Sequence, residues 1–347
     1  SLTEIEFGNK YNQPIVQGSL PASLTKIVFG RYFNQPIEVG CLPTSLTYLG
    51  IQSNFYNHDI LPGTLPDSIT HISMLHYIRS KIHEGALPQS LTSMYLSIIL
   101  LVSIKDNVIP KSIRSLELVM CDTNLDWLES FPDVECMTFH GHAFTKDSMP
   151  DWDQESSIKT LRLEQRVIRL TAGMLPPTLT HLTLGDYFNQ PLTSGLLPDS
   201  LIELHIGNSF DHPILGLPNS LTILTISDKF DQPLTSRLLP QLTKLKLGNS
   251  FRQLLPGSMK SLKCLAIGEA FIDKIIEDLG MKSNTTPQFK QPLELIWCSY
   301  VTLLRKPLRV IRSDALIDTQ SSVCWKYPRT QSNWYCVKSP SRTQEYQ

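Results

Sequence analysis

The feature that most constrains this chain is a short leucine-rich pattern that returns about every 22 residues. Leu-x-x-Leu-x-Leu, or a variant with other aliphatic residues, occurs thirteen times, at intervals of 20 to 24 residues. Self-similarity at such a period is the signature of one small unit stacked on itself. The sequence therefore predicts a solenoid of about thirteen coils over residues 1–268, rather than a set of unrelated domains. The first positions of the copies are Leu2, Leu24, Leu46, Ile69, Leu91, Ile113, Val134, Ile158, Leu179, Leu201, Leu221, Leu242 and Leu262.

Each copy of the pattern predicts a short strand. In the second copy, Ile27 and Phe29 alternate with Lys26 and Val28, as in a strand with one buried face. A Leu-Pro pair before the strand favours an extended approach. A glycine often follows the strand, as Gly30 does, and suits a corner where the backbone turns sharply or takes a positive φ. Like strands of successive coils should pair in parallel, which predicts a single parallel sheet, mostly strand and loop with little helix.

An aromatic residue follows most of these corners, and an Asn or Asp often comes next. Because equal positions stack in a solenoid, the rings should form a ladder through the core. The Asn that follows, as in Phe33-Asn34, is expected to be buried and to hydrogen-bond backbone groups of adjacent coils. The aromatic positions are Tyr11, Phe33, Phe55, Tyr77, Phe144, Phe188, Phe210, Phe230, Phe251 and Phe271.

The strand pattern resembles the leucine-rich repeat, and the fuller unit is similar to the FNIP repeat, a 22-residue relative found in social amoebae and giant viruses. The unit runs from Phe33-Asn34-Gln35-Pro36-Ile37 to Leu42-Pro43-Thr44-Ser45-Leu46-Thr47 and returns in Phe188-Asn189-Gln190-Pro191. The resemblance covers about three quarters of the chain. It implies a leucine-rich-repeat-like interaction solenoid without a catalytic motif. In some family members the solenoid accompanies an F-box, which recruits substrates to a ubiquitin ligase.

Composition narrows the classes of partner. The formal net charge is −1, so bulk charge favours neither nucleic acid nor an anionic membrane. The longest apolar run, Tyr95 to Ile104, has ten residues, about half of what a bilayer requires. Seven scattered cysteines without a Cys-x-x-Cys pair favour a reducing compartment over a zinc cluster. We therefore predict a cytoplasmic monomer with no cofactor and no metal, bound to an unidentified protein.

The repeat ends near Gly268. Phe271, Ile275, Ile276 and Leu279 fall at helical spacing, which predicts a C-terminal capping helix over 269–286. Residues 287–347 form a non-repeat tail with nine Lys or Arg and four Asp or Glu, a net charge of +5. Disorder, or irregular structure docked on the last coil, is the preferred interpretation of the tail. A folded addition and an out-of-frame translation are the alternatives.

Two segments depart from the repeat within the solenoid. Residues 140–157 are rich in possible metal ligands, but their spacing fits no known metal motif, so a solvated acidic loop is preferred over a metal site. Between Ser97 and Ile104 an aliphatic run replaces the aromatic corner, as a repacked core corner or an exposed apolar patch. The possible ligands of the first segment are His140, His142, Asp147, Asp151, Asp153 and Glu155.

The candidate binding surface follows from the resemblance, because in leucine-rich repeats the strand residues between the apolar ones point into the concave face. In coils eight to eleven, and in the next coil, these positions are mostly polar. His181, Glu203 and His205 should lie on neighbouring strands, close enough for an acid–base trio, although ordinary surface charges are the preferred interpretation. Because imidazole titrates near neutral pH, binding there should depend on pH. The predicted binding residues are Arg162, His181, Glu203, His205, Lys244 and Lys246.

Three functions compete on these observations. The preferred one is a non-enzymatic protein-interaction solenoid, with substrate recognition for a ubiquitin ligase if an F-box lies upstream of Ser1. A carbohydrate-processing solenoid enzyme would require clustered carboxylates in one cleft, whereas Glu203 stands among histidines. A fragment without independent function is the third. The chain begins within a repeat, so a preceding cap or domain is expected.

Overall fold

The structure is a computed structural model and describes residues 1–74, 81–97, 108–120, 133–141, 152, 156–165, 169–235, 241–253, 261–262, 264–267, 309–312 and 335–338. The described residues form fifteen strands. Thirteen of them coincide with the thirteen predicted copies of the repeat, in chain order. These are β1 Glu4–Glu6, β2 Lys26–Phe29, β3 Tyr48–Ile51, β4 His71–Met74, β5 Ser93–Ser97, β6 Ser115–Met120, β7 Cys136–Gly141, β8 Thr160–Gln165, β9 His181–Leu184, β10 Glu203–Ile206, β11 Ile223–Ile226, β12 Lys244–Leu247 and β13 Cys264–Ile267.

Successive strands pair in parallel within each of two compact units. The first unit comprises residues 1–170 and 176–179, and in it β1 to β8 pair in sequence order. The second unit comprises residues 171–175 and 180–347, and in it β9 to β13 do the same. Equivalent residues of the repeat are direct partners, as Ile27 is with Leu49. The predicted leucine-rich-repeat-like solenoid of short parallel strands is confirmed.

The core lies on one side of these strands. Ile27 and Leu49 have no exposed surface, and Leu182 is 1% exposed. Each coil is too thin to cover its own apolar side chains, so they are buried between neighbouring coils. Full burial of one such side chain contributes roughly 1.5–3 kcal/mol, and this stabilisation exists only when coils stack.

The aromatic ladder forms as predicted among the described residues, with one correction; the predicted positions Tyr77, Phe144 and Phe271 lie outside them. Phe188, Phe210 and Phe230 are fully buried, and their rings stack with centroids 5.9 and 5.6 Å apart. Phe55 was predicted to belong to the ladder, and this is wrong, because it is 53% exposed. The third coil has one extra residue, so Tyr56 takes the buried position and stacks on Phe33 at 6.1 Å.

Asn and Asp side chains form two ladders of hydrogen bonds between coils. In the predicted ladder, Oδ1 of Asn12 accepts the backbone N–H of Asn34 at 2.8 Å, and Oδ1 of Asn189 accepts that of Asp211 at 3.1 Å. These residues are exposed or half-buried rather than buried as predicted, because they stand at the outer end of the corner. A second ladder follows the corner glycine, where Oδ1 of Asp186 accepts the Asn208 N–H at 3.1 Å.

Hydroxyl groups form a further ladder, which the sequence reasoning missed. The serine before the first leucine of a copy donates to a backbone carbonyl of the preceding coil. Ser45 Oγ donates to Leu24 O, and Ser68 Oγ donates to Leu46 O, both at 2.6 Å. Backbone groups that short strands leave unpaired are satisfied in this way, which stabilises each coil contact.

The glycines fall into two classes. Six glycines have a φ between 74° and 82°, and Gly40, which lies in a turn, is one of them. The corner glycines are not in this class. Gly207 is required for space, because a Cβ added to it would lie 2.5 Å from backbone atoms of Gly185 and Asp186; Gly30 and Gly248 are crowded in the same way, whereas Gly8 of the first coil is not. The positive φ suggested for the corner is therefore not found at Gly207, where close approach of the preceding coil, which was not predicted, requires the glycine.

No helix occurs among the residues that the structure describes. Accordingly, no described helix is long and apolar enough to cross a membrane. The capping helix predicted for 269–286 lies outside the described residues. In the tail, β14 Arg309–Arg312 and β15 Tyr335–Lys338 are strands; β15 pairs antiparallel with β13, and β14 pairs antiparallel with β15.

Deleting residues 287–347 is expected to leave the repeat strands folded. The tail lacks the period, and coils in a solenoid are stabilised mainly by their neighbours. Urea unfolding followed by far-UV circular dichroism should give a single transition with a midpoint close to that of the full chain. If cooperative unfolding is lost on deletion, β15 is instead an integral cap of the solenoid.

Candidate functional site

The outward side of the strands carries side chains that differ from one coil to the next. In the first strands this face is less open than predicted. Val28 and Ser73, which the alternation along β2 and β4 places on the outward side, are 4% and 5% exposed, and Gly50 on β3 between them is also buried. A Cβ at Gly50 would lie 3.3 Å from the Tyr48 ring, so this ring leans along its strand and covers the position.

A row of two charged side chains followed by two rings crosses the face of β1 to β4. Glu4 lies 3.6 Å from the Lys26 ammonium, which sits 5.6 Å from the centre of the Tyr48 ring. The Tyr48 ring stacks on His71 at 6.4 Å. Each side chain of this row therefore contacts the next one, so the charged and aromatic groups of the row already have partners on neighbouring strands.

The structure brings His181, Glu203 and His205 together on β9 and β10. Nε2 of His205 lies 2.6 Å from Oε1 of Glu203, and Nε2 of His181 lies 3.6 Å from Oε2. The Thr180 hydroxyl lies 2.8 Å from Nδ1 of His181. A neutral imidazole that accepts the hydroxyl hydrogen at Nδ1 carries its own hydrogen at Nε2, which faces Glu203. The three side chains are therefore oriented towards one another.

This trio offers little for sugar hydrolysis. Glycosidases need a pair of carboxylates roughly 5–9.5 Å apart. Among the outward positions of β9 to β12, all of which are described, Glu203 is the only carboxylate. Its two oxygens already face histidines. The arrangement is that of a fixed polar surface.

The remaining predicted binding residues lie on other strands. Lys244 and Lys246 are on β12, separated from β10 by Ile223 and Thr225 of β11. Lys244 is exposed and Lys246 is half-buried. Arg162 lies on β8 in the first unit and is also exposed. Whether these six residues bind a partner stays a prediction.

A second cluster, on β5 to β8, was missed as a unit. His140 sits on β7 between two carboxylates of the flanking strands, with Nε2 2.5 Å from Glu117 and Nδ1 3.6 Å from Glu164. The Tyr95 ring lies 5.7 Å from the imidazole. Sequence reasoning considered His140 with the loop that follows it. The sequence feature that could have placed His140 on the outward side of a strand is the period-two pattern, which extends from Cys136 to His140.

The cluster favours a charged imidazole. A neutral imidazole has one N–H, whereas both ring nitrogens of His140 face carboxylates, and only the protonated ring donates to both. The hydrogen bond to Glu117 raises the pKa of His140, against the effect of partial burial. Burial, with Glu117 and Glu164 nearby, raises the pKa of Tyr95 to about 12. The cation of His140 thus links β6, β7 and β8.

Stability of the first unit should therefore depend on pH through His140. Because its folded-state pKa is raised, its stabilising contribution is complete below the unfolded value near 6.5 and is lost as pH rises through the folded value. All three side chains are partly exposed, so we expect a loss of about 1 kcal/mol or less. Urea midpoints between about pH 5.5 and 8.5 would measure it. His140→Gln should flatten this dependence, and an unchanged slope would contradict the assignment.

The metal alternative receives no support from the described residues, where no group of three or more His, Cys, Asp or Glu is arranged to hold an ion. The other possible ligands near His140, from His142 to Glu155, lie outside the described residues. The same holds for the aliphatic residues 98–104. Among the cysteines whose side chains are described, Cys41 and Cys136 are free thiols.

Comparisons with known proteins agree with this architecture. The family model described as FNIP Repeat matches residues 11–54, 56–97, 169–209 and 210–250. Among solved structures, the chain is similar to CroV588, described as a novel circular LRR protein structure, with 33% identity and a TM-score of 0.54. The match covers 75% of this chain but 39% of CroV588. A comparison with curated proteins finds no match.

Proposed function

Since this chain is a FNIP-repeat protein with a leucine-rich-repeat-like solenoid fold, we propose that it is a non-enzymatic protein-interaction module. The proposed contact residues lie on the outward side of the strands: Arg162 on β8 in the first unit, and His181, Glu203, His205, Lys244 and Lys246 on β9 to β12 in the second.

The observation that carries the proposal is the contrast between the two sides of the strands. On the inner side, aliphatic and aromatic residues occupy equivalent positions in successive coils and are buried. The outer side of β9 to β12 carries His, Glu, Thr, Ile and Lys at equivalent positions. A rigid surface of varied side chains loses little conformational freedom on association, which favours specific binding.

The test is capture of partners from a native lysate by the chain and by surface variants. Arg162→Glu and Glu203→Lys reverse charge, and His181→Ala and His205→Ala remove the imidazoles. We expect at least one partner to be lost with one or more of these changes. Lys229→Glu, at an exposed corner away from this face, is the matched control. Retention of every partner by all four variants would move the site to the corner loops or the tail.

A finer form of the proposal is substrate recognition for a ubiquitin ligase. It requires an F-box upstream of Ser1, and reading that sequence tests it directly. A kinase domain or a signal peptide there would assign a different role. Cytoplasmic location and a monomeric state belong to the same proposal, and sizing of the purified chain by light scattering would test the latter.

A further inference from the structure

We propose that the outward face of β3 to β5 binds a proline-rich segment of a partner protein in the polyproline II conformation. The inference goes beyond the proposed function, because it concerns a second surface, which lies in the first unit, and names the chemical class of its partner. It rests on aromatic side chains and hydroxyl groups that three adjacent strands place together.

A buried hydroxyl without a partner marks the centre of this face. Ser73 lies between two core residues of β4, Ile72 and Met74, so its side chain points to the outward side. Only 5% of Ser73 is exposed, yet its hydroxyl makes no hydrogen bond to any residue that the structure describes. Because buried polar groups normally have partners, this hydroxyl is a hydrogen-bonding group that a ligand on the outward side can satisfy.

Aromatic rings of three strands enclose this hydroxyl. Gly50 and Tyr95 flank Ser73 in the strand register, and His71 precedes it by two residues on β4. Gly50 has no side chain of its own, and the Tyr48 ring leans over it. The Tyr48 ring also stacks on His71, with the two ring centres 6.4 Å apart. Tyr48, His71 and Tyr95 therefore form the aromatic lining of a notch that has Ser73 at its floor.

The charges on both sides of the notch are already engaged. On one side, the Lys26 ammonium lies 3.6 Å from Glu4. On the other side, Glu117 is hydrogen-bonded to His140 at 2.5 Å. A strongly charged ligand would have to compete with these pairs, whereas an uncharged segment would leave them in place.

The hydroxyl groups of the notch favour a ligand that is rich in acceptors. Ser73, Tyr48 and Tyr95 each have a hydroxyl that can donate a hydrogen bond. No described residue accepts a hydrogen bond from any of the three. A proline residue offers a backbone carbonyl and no N–H, so a proline-rich backbone presents the acceptors that these donors lack.

The spacing of the two tyrosines matches a polyproline II helix. Because the Tyr48 ring leans over Gly50, it reaches the row across the strands that contains Ser73 and Tyr95. Tyr48 and Tyr95 stand on β3 and β5, two strand steps or about 9.6 Å apart. A polyproline II helix has about three residues per turn and rises about 3.1 Å per residue, so every third residue repeats after about 9.3 Å. A segment that crosses the strands can thus place one proline at each tyrosine, as such helices do in aromatic-lined grooves.

The experiment measures binding of fluorescent peptides to the full chain by anisotropy. The probe is an uncharged peptide of about twelve residues with proline at every third position. One comparison peptide carries alanine in place of proline, and another has the same composition as the probe with its prolines at irregular intervals. We expect the probe to bind at least about tenfold more tightly than either, with little change as NaCl rises from about 50 to about 500 mM.

Two variants locate the binding on this face. Tyr95→Ala removes one ring and should weaken binding of the probe by about tenfold or more. Ser73→Ala removes only the hydroxyl and should weaken it by about threefold. Tyr32→Ala is the matched control, because it deletes a tyrosine that is 48% exposed at a corner of the same unit. It should change the affinity by less than about twofold.

Four results would overturn the inference: equal affinity for the probe and a comparison peptide, or binding of none; unchanged affinity of Ser73→Ala; equal weakening by Tyr32→Ala and Tyr95→Ala; or tighter binding of a single-stranded oligonucleotide of equal length, whose bases would stack on the same rings. Far-UV circular dichroism checks the fold of each variant. The comparison peptides and the oligonucleotide need no variant, so the test holds even if Tyr95→Ala does not fold. Lysate capture with the variants of β8 to β10 tests the proposed function separately.

Discussion

Phe210→Ala is expected to lower the free energy of unfolding by about 3–5 kcal/mol. The ring is fully buried and stacks on Phe188 and Phe230 of the adjacent coils. Truncation removes apolar contacts on both sides and leaves a cavity between layers that can close only if the coils shift. Chemical denaturation of the variant, with the midpoint and slope compared with those of the unchanged chain, would measure the loss.

Phe55→Ala is the matched control for this prediction. It deletes the same ring from a position that is 53% exposed, next to the Tyr32 ring at 5.5 Å. We expect a loss below about 1 kcal/mol, in the range of ordinary surface substitutions. A loss below about 1 kcal/mol for Phe210→Ala as well would show that its ring is not enclosed by neighbouring coils.

Gly207→Ala is expected to cost about 3 kcal/mol, the upper end of what overpacking usually costs. The added carbon would lie 2.5 Å from backbone atoms of Gly185 and Asp186, so no side-chain rotation can relieve the overlap. The corner of this coil would have to move away from the preceding one, at the expense of the nearby hydrogen bond from Asn208 N–H to Asp186 Oδ1.

Alanine substitutions at two other glycines distinguish the steric overlap at Gly207 from the other consequences of replacing a glycine. No atom lies within 4 Å of a Cβ added to Gly8, a corner glycine of the first coil, so Gly8→Ala should change stability by less than about 0.5 kcal/mol. Gly18 also has open space but a φ of +78°, so Gly18→Ala should cost about 1–2 kcal/mol through backbone strain. Equal losses at all three positions would refute the distinction between space and conformation. The midpoints of urea unfolding would rank them.

The fold was largely predictable because one pattern carries it thirteen times. Ile27, Leu49 and Leu182 are buried as their register required, and repetition averages out the ambiguity of any single short strand. The predictions that were wrong depend on single residues. The interval after Leu46 is 23 rather than 22, and nothing in the local pattern says whether Phe55 or Tyr56 turns inwards, because both are aromatic. Packing against Phe33 decides it.

The candidate surface was predictable only in part. Period-two alternation places His181, Glu203 and His205 on one side, and parallel pairing makes them neighbours, so their proximity follows from the sequence. The cluster around His140 does not follow in the same way. It depends on β6, β7 and β8 extending to six residues each, two or more beyond most other repeat strands. Strand length is set by pairing with neighbours, which residue patterns describe poorly.

The side-chain ladders have a direction with a consequence for how the chain is made. In the Asn, Asp and Ser ladders the acceptor belongs to the earlier coil and the donor to the later one, as with Asn12 and Asn34 or Leu24 and Ser45. Synthesis delivers the earlier coil first. Each completed coil thus presents a finished template of acceptors to the next segment leaving the ribosome, so the solenoid can be laid down one layer at a time, behind the moving end of the nascent chain.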